Sequence, residues 1–293
     1  MKMAASPIFP VLAAAGMAGL LAMPAALAGA QGAAPSVAQA AAVSLAPHRA
    51  VYDLKLANTR GKRPMQSVRG RILYDFSGSP CEGYALQFRQ VSELDTGEGK
   101  VAVSDLRATT WEEGGAQRLR FNSQNYLDER LRETVDGQAE RAKAGIAVKL
   151  TKPDDKTFDV GTDLVFPTEH VRRIVTAARE GKTLLEVSVF DGSETGEKVY
   201  DTLTIIGRQI PPDERKPTDA AAGQAALAQL ARWPVTISYF DKGKAGGEQT
   251  PVYAITFELY ENGVSRALTL DYGDFIVSGE MTSIEIKDAK PCP

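Results

Sequence analysis

The chain has 293 residues and nearly balanced charge, 34 Lys and Arg against 37 Asp and Glu, with the basic residues scattered among acidic ones. That distribution leaves no electrostatic footprint for nucleic acid, so no nucleic-acid partner is expected. Two histidines and two cysteines in the whole chain give poor support to a Cys/His metal cluster.

At the N-terminus, Lys2 precedes an almost uncharged run from Met3 to Ala46. A short basic start, an apolar segment from Val11 to Leu21, the Pro24 break and the small-x-small triplet Ala26-Leu27-Ala28 predict a secretory signal peptide over residues 1–28. Ala38-Gln39-Ala40 is a competing cleavage site, and residues 29–46 read as a low-complexity linker. Gly16, Gly19 and Pro24 interrupt the apolar run, which argues against a membrane anchor, and no Cys follows closely enough to carry a lipid. The expectation is an exported, periplasmic protein with no stable membrane anchor and one domain over residues 47–293.

Period-two alternation then recurs along the chain. In His48 to Leu56, Ala50, Tyr52, Leu54 and Leu56 fall on one face and Arg49, Asp53 and Lys55 on the other, which is the pattern of a half-buried strand. The same pattern marks strands around Ile146 to Leu150, Val235 to Tyr239 and Tyr253 to Leu259. Turns are expected at Gly78-Ser79-Pro80, Gly97-Glu98-Gly99, Gly114-Gly115, Asp136-Gly137, Asp241-Lys242-Gly243 and Glu261-Asn262-Gly263. Near the C-terminus, Phe275, Val277 and Met281 occupy odd positions whereas Ile284 and Ile286 occupy even ones, so a β-bulge is expected near Thr282-Ser283. About a dozen such strands make the fold class mainly β, an antiparallel barrel or strongly curved sheet.

One helix is predicted from Thr168 to Glu180, with Val171, Ile174, Val175 and Ala178 as its buried stripe. Thr168 is the expected cap, Glu169 complements the dipole, and Gly181 is the stop. Asp219 to Arg232 is a weaker helical candidate that reads equally as an exposed loop.

The search for chemistry finds no catalytic, cofactor-binding or metal-binding set. There is no Gly-x-Ser-x-Gly turn, Ser193 and Ser278 lie in unsuitable surroundings, and neither His48 nor His170 has a partner at a meaningful spacing. The acidic stretch Asp191 to Glu197 lacks EF-hand spacing and reads as a solvated hairpin turn. Asp128 to Glu133 reads as an exposed strand face. Cys81 and Cys292 are an even pair in an oxidising compartment, which favours a disulfide, with buried thiols as the alternative.

Several segments resemble the EipB-type periplasmic cell-envelope integrity family: Pro47 to Tyr52, Gly78 to Tyr84, Phe166 to His170, Val189 to Gly192, Lys198 to Asp201, Arg232 to Val235 and Lys290 to Cys292. They span nearly the whole mature chain, and none is a catalytic motif. The resemblance implies a monomeric, spiral-like, incompletely closed β-barrel in which Cys81 and Cys292 form the family's disulfide. A bond there is expected to oppose opening where the first and last parts of the sheet overlap. The resemblance also implies a role in envelope integrity, and no enzymatic activity or cofactor is expected. The expected partner is another periplasmic envelope protein or an envelope component. The alternative is a carrier or sensor that holds a lipid or glycolipid in an apolar interior.

Overall fold

The structure is a computed structural model describing residues 43–60, 65–97, 99, 101–242, 250–289 and 292. The signal segment, both cleavage sites, Glu98, Gly243, Lys290 and Pro291 lie outside the described residues. In chain order the elements are β1 (His48–Thr59), β2 (Ser67–Ser79), β3 (Gly83–Asp95), β4 (Val101–Glu112), β5 (Arg118–Leu127), β6 (Arg130–Ala142), β7 (Gly145–Lys152), β8 (Lys156–Asp159) and β9 (Leu164–Val165). Then come α1 (Pro167–Arg179), β10 (Leu184–Val189), β11 (Tyr200–Ile206), a 3-10 turn (Ala220–Gly223), α2 (Ala225–Ala228), β12 (Arg232–Asp241), β13 (Tyr253–Tyr260), β14 (Ser265–Asp271) and β15 (Phe275–Ile286).

All fifteen strands belong to one sheet, in the order 8-7-6-5-4-3-2-1-15-14-13-12-11-10-9. Every pairing is antiparallel except β9 with β10. Laid flat, a sheet of that many strands at about 4.8 Å spacing would be roughly 67 Å across. Its two edge strands, however, are joined only by Val160 to Asp163, and the five residue steps from Asp159 to Leu164 reach at most about 18 Å. The sheet must therefore curl until its edges nearly meet. The result is an incompletely closed barrel with a seam between β8 and β9.

This placement of the seam corrects one expectation. The first and last strands are not frayed edges, because β1 and β15 pair over eleven positions from His48↔Ile286 to Thr59↔Phe275. The expected bulge is present in that ladder: Val51 pairs with Ser283 and Tyr52 with Met281, which leaves Thr282 as the extra residue. Asp136-Gly137 is a second correction. It lies inside β6, where a Cβ on Gly137 would stand 2.8 Å from both Leu150 and Phe121, so the glycine is there for close packing. The turn actually falls at Asp128-Glu129, both left-handed with φ of 50° and 63°, and only Arg130 to Glu133 belongs to the strand. Upstream, Leu45 is buried against Phe76 and Tyr84, so packed chain begins slightly inside the expected linker.

Alternating side chains give the sheet a buried inner face. One core cluster joins Tyr52, Leu54, Ile72, Val235, Leu268, Met281 and their neighbours to Ile174, Val175 and Ala178 of α1. A second joins Leu119, Phe121, Val148 and Leu150 to Phe166 and Phe190. Val171 is only half-buried, packed against the cluster of Leu45, Phe76 and Tyr84.

α1 begins one residue earlier than expected, because Pro167 has the fixed φ suited to a first helical position. Thr168 is therefore not the cap. The Glu112 carboxylate of β4 accepts the N–H groups of Thr168 at 2.6 Å and Glu169 at 2.8 Å. Gly181 ends the helix as expected, with φ of 72° and Lys182 N–H donating to the Ala177 carbonyl at 2.9 Å. The Asp219 to Arg232 segment forms only the 3-10 turn and the single turn of α2, which bury Ala222 and Leu227.

The buried cap makes stability depend on pH. Burial pushes the Glu112 carboxyl from its ordinary 4.5 up to about 7, overriding the N–H donors of Thr168 and Glu169 that favour its ionised form. A folded value above the unfolded one means that the contribution is fully present below about 4.5 and is lost as pH rises through about 7. That difference corresponds to something on the order of 3 kcal/mol. The melting temperature should fall between pH 5 and pH 7.5, and the fall should be much shallower in Glu112→Gln. Parallel pH profiles for the two proteins would exclude Glu112 as the source.

Candidate functional site: a cavity inside the barrel

The inner wall of β3 to β5 is built by strand periodicity. Leu86, Phe88 and Gln90 of β3 stand opposite Thr110, Ala108 and Leu106 of β4. Those in turn stand opposite Phe121, Ser123 and Asn125 of β5. Leu86, Phe88, Leu106 and Ala108 are only half-buried although they point inward, because they line a cavity of about 420 Å³. Pro167 and the segment Asp191 to Glu194 form its remaining boundary.

The expected hairpin turn is present, joining β10 to β11 with Glu194, Thr195 and Glu197 exposed, but its first part, Asp191 to Ser193, folds inward. Phe190 is fully buried and meets Phe121 edge-on at 5.7 Å. Gly192 has φ of 69°, and a Cβ there would stand 2.3 Å from the Phe121 ring, so only glycine lets the backbone pass. Asp191 accepts the Ser193 N–H at 2.9 Å, and burial raises its carboxyl. The Tyr200 hydroxyl donates to Glu194, which also pairs with Lys198 at 2.5 Å.

Opposite this wall runs an aromatic arc. Tyr200, Tyr239, Tyr253, Tyr272 and Phe275 follow one another at centroid distances of 6.0, 5.8, 5.2 and 5.0 Å. Gln90 on the inner face of β3 donates to the Tyr272 hydroxyl at 3.4 Å, which links the arc to the cavity wall across the interior. Burial raises the Tyr239 and Tyr253 hydroxyls well above their ordinary range, so both stay protonated at neutral pH. Other depressions of about 590 Å³ over β10 to β12 and about 850 Å³ over β1 to β3 are shallow and lie on outer faces.

The residues singled out for possible chemistry have structural surroundings. The His48 ring stacks on Tyr74 at 5.4 Å, and its Nδ1 lies 2.7 Å from the Ala46 carbonyl oxygen. Burial lowers His48 and takes His170 down to about 4, so both are neutral at physiological pH. The Ser278 hydroxyl donates to the Lys55 carbonyl at 3.3 Å. The structure brings neither serine to either histidine in a hydrogen bond. Cys81 and Cys292 form a disulfide with Cα atoms 5.6 Å apart. Among the described residues no group of three or more His, Cys, Asp or Glu side chains is arranged to hold a metal ion.

Sequence reasoning missed a buried ion-pair network. Ala267, with φ of 52°, creates a bulge in β14 that turns Arg266 to the face opposite Leu268 and Leu270. There Arg266 pairs with Asp219 and Glu258, and Glu258 also accepts from Arg232 at 2.7 Å. The network fastens the segment before β12 over β13 and β14. Arg266 shares the parity of the buried Leu268 and Leu270, and that charge on an apolar stripe was the available signal.

Fold and interior together define a β-barrel-like protein with an open seam and a partly unfilled interior. A crystal structure of a β-barrel-like protein of the domain of unknown function DUF1849 from Brucella abortus has this fold, with a TM-score of 0.77 and 36% sequence identity. The match covers 84% of this chain and all of that one. The chain belongs to the EipB-like family, which it matches over residues 39–288. It is 38% identical over 260 residues to the cell envelope integrity protein EipB of Brucella abortus (strain 2308), covering 88% of this chain and 90% of that protein.

Proposed function

We propose that this chain is exported to the periplasm and maintains the integrity of the cell envelope by binding an envelope component, not by catalysis. The name of its Brucella relative supports the envelope role, and the Cys81–Cys292 bond suits an oxidising compartment. The observation that carries the binding reading is the cavity itself. A sheet with this much inward apolar side chain would ordinarily fill its interior, yet Leu86, Phe88, Leu106 and Ala108 border open space. The same cavity favours one form of binding, a carrier or sensor that holds the apolar part of a lipid or glycolipid.

The test is mass spectrometry of what is released from the protein purified natively from its own periplasm. A stoichiometric small envelope molecule is expected. An empty protein that co-purifies with another periplasmic protein would instead place the binding on an outer face. Catalysis is tested in parallel: His48→Gln and His170→Gln, compared at matched folded abundance, should preserve resistance to detergents and cell-wall antibiotics. Loss of resistance in a fully folded variant would establish chemistry at that side chain.

A further inference from the structure

The geometry points to the cavity between β3 to β6 and the β10–β11 segment as a site for the alkyl chain of an uncharged amphiphile, one whose head carries hydroxyl or amide groups and no ionised group. This rests on the binding reading above and adds a ligand class. The volume of about 420 Å³ lies within the range of small-molecule sites. It is the space of about fourteen waters at about 30 Å³ each. Phe88, Leu106 and Ala108 supply an apolar wall that water covers poorly, so an alkyl chain replacing that water gains from the same burial that drives core formation.

The head-group preference comes from what stands around that wall. The Ser123 and Asn125 side chains face the cavity from β5 without a hydrogen bond to the protein, and they offer uncharged donors and acceptors. Among the described residues no Lys or Arg lines the cavity, whereas Glu133, Asp191 and Glu194 do. An ionised carboxylate or phosphate entering here would give up water, find Lys198 already paired with Glu194, and face Glu133. Carboxylates would ordinarily welcome a cation, but burial holds the Asp191 carboxyl toward its neutral form and Lys198 already pairs with Glu194. Only Glu133, exposed on β6, is left without a partner.

The experiment uses the full mature protein and three probes with one chain length: 1-monolauroylglycerol, laurate and dodecyltrimethylammonium, each below its micelle-forming concentration. Binding is placed by backbone amide shifts of Leu106 and Ala108. The neutral probe should bind at least tenfold more tightly than either ion at pH 7. Ala108→Trp should abolish that binding, Ala108→Leu should weaken it if the larger side chain prevents folding, and Thr109→Trp on the outer face should leave it unchanged. Glu133→Lys should raise laurate affinity severalfold and so narrow the preference for the neutral probe. Equal or tighter binding of either ion, or shifts confined to the outer face, overturns the ligand class. Absence of binding by all three overturns it too, while the broader binding reading then stands or falls on the native extract. If folded Ala108→Trp, present at normal abundance, protects the envelope fully, the cavity is not the working site and both readings of it fail.

Discussion

Ile174→Asp should lower the stability of the domain by at least about 4 kcal/mol. Truncating a buried Ile alone costs about 2–5 kcal/mol, and an unpaired carboxylate in the same place adds the cost of desolvating a charge. Ile174 has 1% exposure and sits in the larger core cluster beside Val175, so no water is near enough to solvate the new group. At about 2–4 °C per kcal/mol for a domain of this size, the melting temperature should drop by roughly 8–16 °C or more. Ile174→Leu nearly conserves volume and should cost under about 1.5 kcal/mol. Comparing the two by thermal unfolding separates burial of charge from change of shape. An unchanged melting temperature for Ile174→Asp would show that α1 swings out of the barrel and is not part of its core.

Replacing both Cys81 and Cys292 with Ser should cost about 2–5 kcal/mol. The bond spans 211 residues, and the chain-entropy relation gives about 5 kcal/mol for so long a loop, an upper bound because residual structure in the unfolded chain reduces it. Its place in the fold sets what fails. Cys81 lies in the turn between β2 and β3, and Cys292 follows β15, so the bond carries the C-terminal tail past the start of β1. The tail is also held by Lys287, whose N–H donates to the Pro47 carbonyl at 2.8 Å and whose ammonium pairs with Asp75. The double variant should therefore keep its β circular dichroism and slow amide exchange in β15, yet melt earlier and yield faster to protease. Envelope protection should decline in proportion to abundance. Thiol labelling of both cysteines in the denatured, unreduced periplasmic protein would show that the bond does not form there.

The features legible in the sequence are those written in short range. The switch of parity between Met281 and Ile284 locates the Thr282 bulge because each residue in a strand reports its face directly. The Gly181 stop and the buried Ile174, Val175 and Ala178 follow from helical spacing in the same way. Distant groups decided the rest. The cap of α1 comes from Glu112, fifty-six residues before Thr168, which no local motif encodes. Gly137 resembles a turn residue until Phe121 and Leu150 are brought against it. The stretch from Asp191 to Ser193 has the composition of a solvated loop, and only Phe190 and the ring of Phe121 explain why it turns inward. The cavity was illegible for the same reason, since a wall residue and a core residue have identical periodicity and differ only in what faces them.

The pairing of β1 with β15 also sets the order in which the sheet can close. Each other antiparallel neighbour of a strand follows or precedes it along the chain, but the second neighbour of β1 is the last strand made. The interval from Thr59 to Ile286 is 286 − 59 = 227 residues. Throughout that interval one whole backbone edge of β1 has no native partner, and an open edge accepts any extended chain that reaches it. The molecule is thus most vulnerable to wrong pairing at its earliest strand, and it stays so until its final dozen strand residues arrive.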